Sequence, residues 1–118
     1  MKTQELLQLV NEFDSPLYVY DASKIESQYK RLTNAFSKIE RFRVHYAVKA
    51  LSNVSVLRYL KTLGSSLDTV SIQEVKLGLH AGFDPSQIIY TPNGVSMEEI
   101  EKVAALGVQI NITNLSIL

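Results

Sequence analysis

Short apolar segments alternate regularly with segments of helical periodicity along the 118 residues of the chain. Five short segments are rich in β-branched or aromatic residues, as parallel strands buried on both faces tend to be. These predicted strands are Leu17–Tyr20, Val44–Val48, Leu67–Val70, Ile88–Tyr90 and Val108–Ile112. From Ala22 to Ile39 the apolar residues recur every three or four positions, which predicts an amphipathic helix. A shorter amphipathic helix is predicted for Met1–Phe13.

Capping residues mark where the predicted helices begin and end. Asp21 is an N-cap for the helix that follows it, and Asn53 opens a further helix. Two capping boxes, in which a serine precedes a glutamate by three residues, and three terminal glycines complete the signals. They are Ser71 with Glu74, Ser96 with Glu99, and Gly64, Gly82 and Gly107.

Alternating strands and helices imply parallel strands joined by right-handed crossovers. An open doubly wound sheet and a (β/α)8 barrel both fit this pattern. The glycine fingerprint of dinucleotide-binding open sheets is missing, and Gly78 with Gly82 indicates helix packing and capping instead. A complete barrel needs about 250 residues. The sequence therefore predicts an α/β fold, the first five βα units of a truncated (β/α)8 TIM-type barrel with parallel strands, and residues 1–118 as one partial domain.

The amino-acid composition limits the classes of partner that the chain can have. Twelve basic residues balance twelve acidic residues, and no block of like charge suggests nucleic acid or an anionic membrane as a partner. The chain has no cysteine, which excludes disulfides and thiolate zinc sites, and we predict no metal site. No apolar stretch approaches the ~20 residues that span a bilayer, and residues 1–13 lack the apolar core of a signal peptide. A cytoplasmic protein is expected.

Lys49 is the main candidate for chemistry. Side chains alternate along a strand, so His45, Ala47 and Lys49 share one face of the second predicted strand. In a barrel that face points inward, the small Ala47 leaves room for a planar ligand, and a partly desolvated lysine there suits imine chemistry. The alternative from the residues alone is a lysine that ends the strand and reaches water. His45 is interpreted as a packed residue or as a residue on the floor of the pore.

The acidic residues and the second histidine have simpler interpretations. An acid on a buried strand is unfavourable unless it is paired, so Asp68 is predicted to face the pore with a lysine nearby, close to Lys49. The cluster Glu98, Glu99 and Glu101 is interpreted as a solvated helix face. His80 lies in the last turn of a predicted helix, where it favours the helix dipole. Capping is the preferred interpretation of Ser71 and Glu74.

Several motifs in order resemble one enzyme family. The segment Ser15–Asp21, followed by Tyr46-Ala47-Val48-Lys49-Ala50, resembles the opening of the fold-type III decarboxylases that depend on pyridoxal phosphate (PLP). Further similarities lie at residues 67–74, at Ile88–Ile100 with Asn93 and Ser96, and at Asn111–Leu115. The chain departs from the family pattern at Leu51, at Ile72-Gln73 and at Val95. The resemblance covers the chain from about Phe13 onward.

This resemblance implies that Lys49 carries PLP covalently and is the catalytic residue, with Ala47 and Asp68 beside the cofactor. It implies decarboxylation of an amino-acid substrate, and the opening segment favours meso-2,6-diaminopimelate, which gives L-lysine and carbon dioxide in lysine biosynthesis. The family's phosphate loop and substrate-binding residues come later in its sequences, so the chain alone is expected to be inactive. A homodimer, or self-association through open sheet edges, is also expected.

Two alternatives remain from the sequence. The chain could belong to another fold-type III decarboxylase or to a racemase, because the residues that select the substrate lie outside it. It could instead be a non-catalytic PLP-binding or scaffold protein, like the single-domain relatives that keep the barrel and the lysine.

Overall fold

The computed structural model describes residues 2–112 and residue 115. Met1 of the first predicted helix, and residues 113 and 114 of the segment Asn111–Leu115, lie outside the described residues. The α-helices are α1 (Thr3–Phe13), α2 (Ala22–Ala35), α3 (Val54–Thr62), α4 (Ile72–His80) and α5 (Met97–Ala104). The strands are β1 (His45–Ala47), β2 (Ser66–Thr69), β3 (Ile88–Tyr90) and β4 (Gln109–Ile110), and short 3₁₀ turns span Val48–Ala50 and Pro85–Gln87.

The described strands form one parallel sheet with the order β1-β2-β3-β4. This confirms the predicted α/β class with parallel strands. Ala47 pairs with Asp68, and Asp68 pairs with Ile89. Because paired residues of neighbouring strands point to the same side, these three residues share one face, which we call the open face. Leu67 and Tyr90 belong to the opposite face, which the helices cover.

The first predicted strand is wrong. Leu17–Tyr20 is not a strand in the structure, and the sheet of the described residues has four strands rather than five. Tyr18 is 87% exposed, which no buried strand would allow. A strand exists only where its backbone groups bond to a neighbour, and β1 has its sheet partner in β2 alone among the described strands. An apolar segment rich in β-branched and aromatic residues therefore did not form a strand where it has no partner.

The core lies between the sheet and helices α3, α4 and α5. Its fully buried side chains include Leu57, Leu67, Val75, Ile88 and Val103. Helix α4 packs against both β2 and β3, and Gly78 makes this approach possible. A Cβ atom on Gly78 would lie 2.7 Å from Cδ1 of Leu67 and 3.1 Å from Cδ1 of Ile88. The interpretation of Gly78 as a packing residue is confirmed.

The predicted N-caps are confirmed at four helices. The Asn53 side chain accepts hydrogen bonds from the backbone N–H groups of Ser55 and Val56. The other caps are Asp21, Ser71 and Ser96, each of which accepts from the backbone N–H three residues later. These bonds satisfy donors that a helix leaves unpaired in its first turn. The helices therefore begin where the sequence places them.

Helices α1 and α2 contribute no buried residue. A groove of about 390 Å³ lies between α2 and β1, and Val44 and Tyr46 are among its lining residues. Val48 is fully buried. These three residues therefore lie on the helix side. Within the described residues, no helix combines the length and the apolar character needed to cross a membrane.

Candidate active site

Lys49 lies in a turn at the carboxyl end of β1. The strand ends at Ala47, earlier than predicted, and Val48–Ala50 form one turn of 3₁₀ helix. The buried side chain of Val48 anchors this turn in the core, and the backbone N–H of Leu51 donates to the Val48 carbonyl at 3.1 Å. Strand alternation therefore does not extend to Lys49. Its side chain is exposed, so the expected partial desolvation is not found.

The turn that carries Lys49 packs against β2. Asp68 belongs to β2, and its backbone pairs with Ala47, the residue just before the turn. The open face therefore presents the small Ala47 and the half-buried Asp68 side by side, at the end of the sheet where Lys49 follows. This is the edge at which parallel α/β proteins bind ligands.

Asp68 has a different partner from the one predicted. The Thr91 hydroxyl donates to Oδ1 of Asp68 at 2.8 Å, and Nδ2 of Asn111 donates to the same hydroxyl at 3.0 Å. Among the described residues, no ion pair joins Asp68 to Lys49. The carboxylate is therefore held by neutral groups that follow the next two strands. The sequence could not indicate this, because Thr91 and Asn111 are distant in the chain.

His45 lies on the open face before Ala47 and is half-buried. Its Nδ1 lies 3.3 Å from the backbone oxygen of Leu67. A carbonyl can only accept, so this hydrogen bond requires a proton on Nδ1. This bond between β1 and β2 fits the predicted packed position of His45.

Glu99 is a residue whose role the sequence interpretation missed. Its Oε1 accepts a hydrogen bond from the backbone N–H of Ile72 at 2.9 Å and one from the Tyr90 hydroxyl at 2.9 Å. Glu99 therefore joins α5 to the start of α4 and to β3, and it is half-buried. The interpretation as a solvated face holds for Glu98 and Glu101, which are exposed, and is wrong for Glu99. The predicted capping box with Ser96 is only half formed, because Ser96 accepts from the Glu99 N–H while the Glu99 carboxylate accepts from Ile72 and Tyr90.

Burial of the Tyr90 side chain, together with its hydrogen bond to the Glu99 carboxylate, raises the pKa of Tyr90 to about 12. Both causes favour the neutral phenol, because an ionised phenolate would be poorly solvated and close to a negative charge. Tyr90 points to the helix side and is fully buried. It is therefore a structural donor beneath the site.

Ser71 caps α4 as predicted, whereas the Glu74 side chain does not complete the predicted capping box, because it accepts from Val70 rather than from Ser71. The Glu74 backbone N–H donates to Oγ of Ser71 at 3.2 Å. Oε2 of Glu74 in turn accepts from the backbone N–H of Val70 at 2.9 Å. Both side chains thus secure the loop between β2 and α4, close to the end of the strand that carries Asp68.

The described residues fit a covalent carbonyl cofactor such as PLP. A lysine that anchors a carbonyl group needs an accessible amine that has no structural hydrogen bond to break. Lys49 is exposed, and within the described residues no hydrogen bond or ion pair occupies its amine. The same residues contain no group of three or more His, Cys, Asp or Glu side chains that could hold a metal ion.

Comparison with known proteins also indicates a PLP-binding site. The diaminopimelate decarboxylase of Methanothermobacter thermautotrophicus is 43% identical to this chain over 113 residues, which cover 95% of this chain and 26% of that protein. The diaminopimelate decarboxylase of M. jannaschii, solved in co-complex with L-lysine, superposes with a TM-score of 0.87 at 29% identity. That match covers 94% of this chain and 27% of that structure.

A lysine/ornithine decarboxylase from Vibrio vulnificus, solved with putrescine, gives a TM-score of 0.85 at 29% identity and covers 96% of this chain and 31% of that structure. The chain thus spans between a quarter and a third of the length of these proteins. Residues 22–118 match the pyridoxal binding domain of the pyridoxal-dependent decarboxylases. The chain therefore belongs to the family of pyridoxal-dependent decarboxylases.

Proposed function

We propose that this chain is part of a diaminopimelate decarboxylase, which converts meso-2,6-diaminopimelate to L-lysine and carbon dioxide with PLP. One observation carries the proposal: Lys49 offers an accessible, uncommitted amine in the turn after β1, at the end of the sheet where Asp68 pairs with Ala47. The 43% identity to a diaminopimelate decarboxylase supports this choice of substrate. Residues 1–118 would form the N-terminal portion of the PLP-binding barrel domain.

Lys49 would hold the cofactor through Nζ. The bound cofactor supplies an electron sink for the bond that loses carbon dioxide. Ala47 has no side chain beyond Cβ, so it leaves space on the open face next to the anchor. The carboxylate of Asp68 places a negative charge at the same edge of the sheet, because Asp68 pairs with Ala47, the residue before the turn.

The turn itself makes Lys49 a suitable anchor. Val48 is buried and fixes the backbone on one side, and the Tyr46 hydroxyl donates to the Leu51 carbonyl at 3.4 Å on the other. The backbone before and after Lys49 is thus held by the protein while its long side chain stays free to move. Lys49 can therefore release a bound group without a change in the fold.

The anchor is tested by PLP labelling of the natural protein that contains these residues. We expect PLP, reduced with borohydride, to attach to Lys49 at one group per chain, as mass spectrometry of peptides would show. Lys49→Ala should abolish this adduct, and Lys76→Ala is the matched control because Lys76 is exposed on α4. Labelling that spreads over several lysines, or that survives Lys49→Ala, would contradict the proposal.

The isolated 118 residues are a separate case. They span about a quarter of the relatives' length, so we expect them to hold PLP weakly and to release no carbon dioxide from diaminopimelate. A stoichiometric adduct on Lys49 together with turnover by this polypeptide would show that the remaining length is dispensable.

A related decarboxylase is the second candidate. The likeness to a lysine/ornithine decarboxylase (TM-score 0.85) favours it, because enzymes with different substrates share the fold of this part of the chain. Release of carbon dioxide from diaminopimelate, lysine and ornithine by the natural protein separates the two. Clear preference for diaminopimelate supports the first proposal, and preference for either of the others supports the second.

We also propose that two copies of the chain associate. Within the described sheet, β1 and β4 each pair on one side only, and unpaired strand edges favour association. Sedimentation of the isolated 118-residue polypeptide, in which these edges are open, over a range of concentrations would test this. A monomer at the highest concentration would count against it.

A further inference from the structure

We propose that Thr91 is a positioning residue of this site, which fixes the Asp68 carboxylate through a hydrogen bond whose direction Asn111 determines. The proposal rests on the function proposed above, in which Asp68 lies beside the cofactor anchor. Thr91 itself contacts neither the anchor nor, by this proposal, the substrate.

The three residues lie at the carboxyl ends of three neighbouring strands. Asp68 is in β2, Thr91 follows β3, and Asn111 follows β4. The backbone around them is held, because the Thr91 N–H donates to the Thr69 carbonyl and the Asn111 N–H donates to the Tyr90 carbonyl, each at 2.8 Å. The side-chain distances of 2.8 Å and 3.0 Å therefore join groups that are already fixed by the sheet ladder.

The donors and acceptors on these three side chains fix the direction of both hydrogen bonds. An ionised carboxylate only accepts, so the single hydroxyl proton of Thr91 must point to Oδ1 of Asp68. The Thr91 oxygen then needs a donor, and the amide Nδ2 of Asn111 supplies one. The reverse orientation of the Asn111 amide would place two acceptors against each other. Asn111 therefore keeps the Thr91 proton directed at Asp68.

The consequence concerns the second oxygen of the carboxylate. With Oδ1 held by Thr91, the Asp68 side chain cannot rotate without losing that bond. Among the described residues no hydrogen bond occupies Oδ2, so this oxygen remains available to a ligand. Thr91 thus holds the negative charge of the Asp68 carboxylate in one orientation, at the edge that carries Lys49.

Three variants of the natural protein test the role of Thr91. Thr91→Val keeps the shape and removes the hydroxyl, whereas Thr91→Ser keeps the hydroxyl. We expect Thr91→Val to raise the Kd of the apo protein for PLP roughly tenfold, the effect of about one hydrogen bond to a charged group. Thr91→Ser should restore the wild-type Kd to within about twofold, and Asn111→Ala, at an exposed position, should have a smaller effect of about threefold.

The melting temperature of each apo protein is the control for folding, and kinetics add a second readout. Thr91→Val should lower kcat with little change in KM, because the residue is proposed to act on the cofactor side of the site. Equal PLP affinity in the valine variant and the wild type would overturn the role of Thr91. So would weak binding that serine fails to restore and that follows a lower melting temperature, since this indicates a structural role.

Failure of the proposed function gives a different result. In that case the wild-type protein itself binds no PLP, or binds it equally well after Lys49→Ala. If the wild type binds PLP through Lys49 and Thr91→Val binds equally well, the function stands and the inference about Thr91 alone is wrong.

Discussion

Glu99 offers a sharp test of how the helices are joined beneath the site. Its carboxylate accepts from the first N–H of α4, at Ile72, and from the hydroxyl of Tyr90. Replacement of Glu99 by alanine removes the oxygen that accepts both hydrogen bonds. It leaves a buried phenol and a helix N-terminal donor without an acceptor. Replacement by glutamine keeps one acceptor oxygen and removes the charge.

The expected loss follows from these two bonds. A hydrogen bond to a charged group contributes about 1.5–3 kcal/mol. Glu99 is half-buried, so water can replace part of the lost hydrogen bonding. The lower end of the range therefore applies to each bond. We expect Glu99→Ala to lower the free energy of unfolding by about 3 kcal/mol. Glu99→Gln should lose about 1 kcal/mol, chiefly the favourable charge at the α4 N-terminus.

Glu98 is the matched control because it is the preceding residue on the same helix. It is exposed and pairs with Lys102 one helical turn away at 2.6 Å. Such surface pairs contribute about 0.5 kcal/mol. Urea denaturation would give the change in stability, and hydrogen exchange at the Ile72 amide would report the local bond directly. Equal losses for Glu98→Ala and Glu99→Ala, with unchanged exchange at Ile72, would refute the reasoning.

Two further predictions concern the packing of α4 and the phenol of Tyr90. Gly78→Ala should lower the free energy of unfolding, measured by urea denaturation, by about 1–2 kcal/mol. The added Cβ would clash with Leu67, and the cost of this clash exceeds the gain of about 1 kcal/mol in helix propensity. Unchanged stability would contradict the close approach of α4 to the sheet. The pKa of Tyr90 is raised from 10.0 to about 12, so its stabilising contribution is complete below pH 10 and lost as pH rises towards 12. Tyr90→Phe should make the free energy of unfolding fall less steeply between pH 10 and pH 12. An equally steep fall in the variant would contradict the raised pKa of Tyr90.

Local signals predicted most of the elements. Helix starts are predicted by N-cap side chains, whose hydrogen bonds span only two or three residues and so do not depend on distant parts of the chain. These residues are Asn53, Ser71 and Ser96. The alternation of short apolar segments and helices also predicts parallel pairing, since crossovers of this kind return the chain in the same direction. The predicted strand Ile88–Tyr90 has the bounds that the structure shows.

The errors all concern partners that lie far away in sequence. Leu17–Tyr20 has the composition of a strand, but pairing depends on a neighbouring strand. Asp68 was correctly recognised as an acid that needs a partner, and the partner is Thr91 rather than a lysine. Glu99 resembles its exposed neighbours in sequence, and only its bonds to Ile72 and Tyr90 distinguish it.

The placement of Lys49 shows the same limit on a smaller scale. Alternation along β1 places a residue on one face only while the strand continues. The strand ends at Ala47, and the turn after it carries Lys49 into solvent. Sequence could identify the lysine and the end of the sheet on which it lies, whereas its exposure depends on where hydrogen bonding to β2 stops.

The strand order β1-β2-β3-β4 follows the order along the chain, and this affects how the protein forms. Each strand pairs with the strand one βα unit earlier, and α4 contacts the helices on either side of it. The entropy lost in closing each loop is therefore modest, and contacts of this range favour rapid folding. Each unit finds its docking surface on the unit made just before it, so this part of the barrel can assemble stepwise as the ribosome releases the chain.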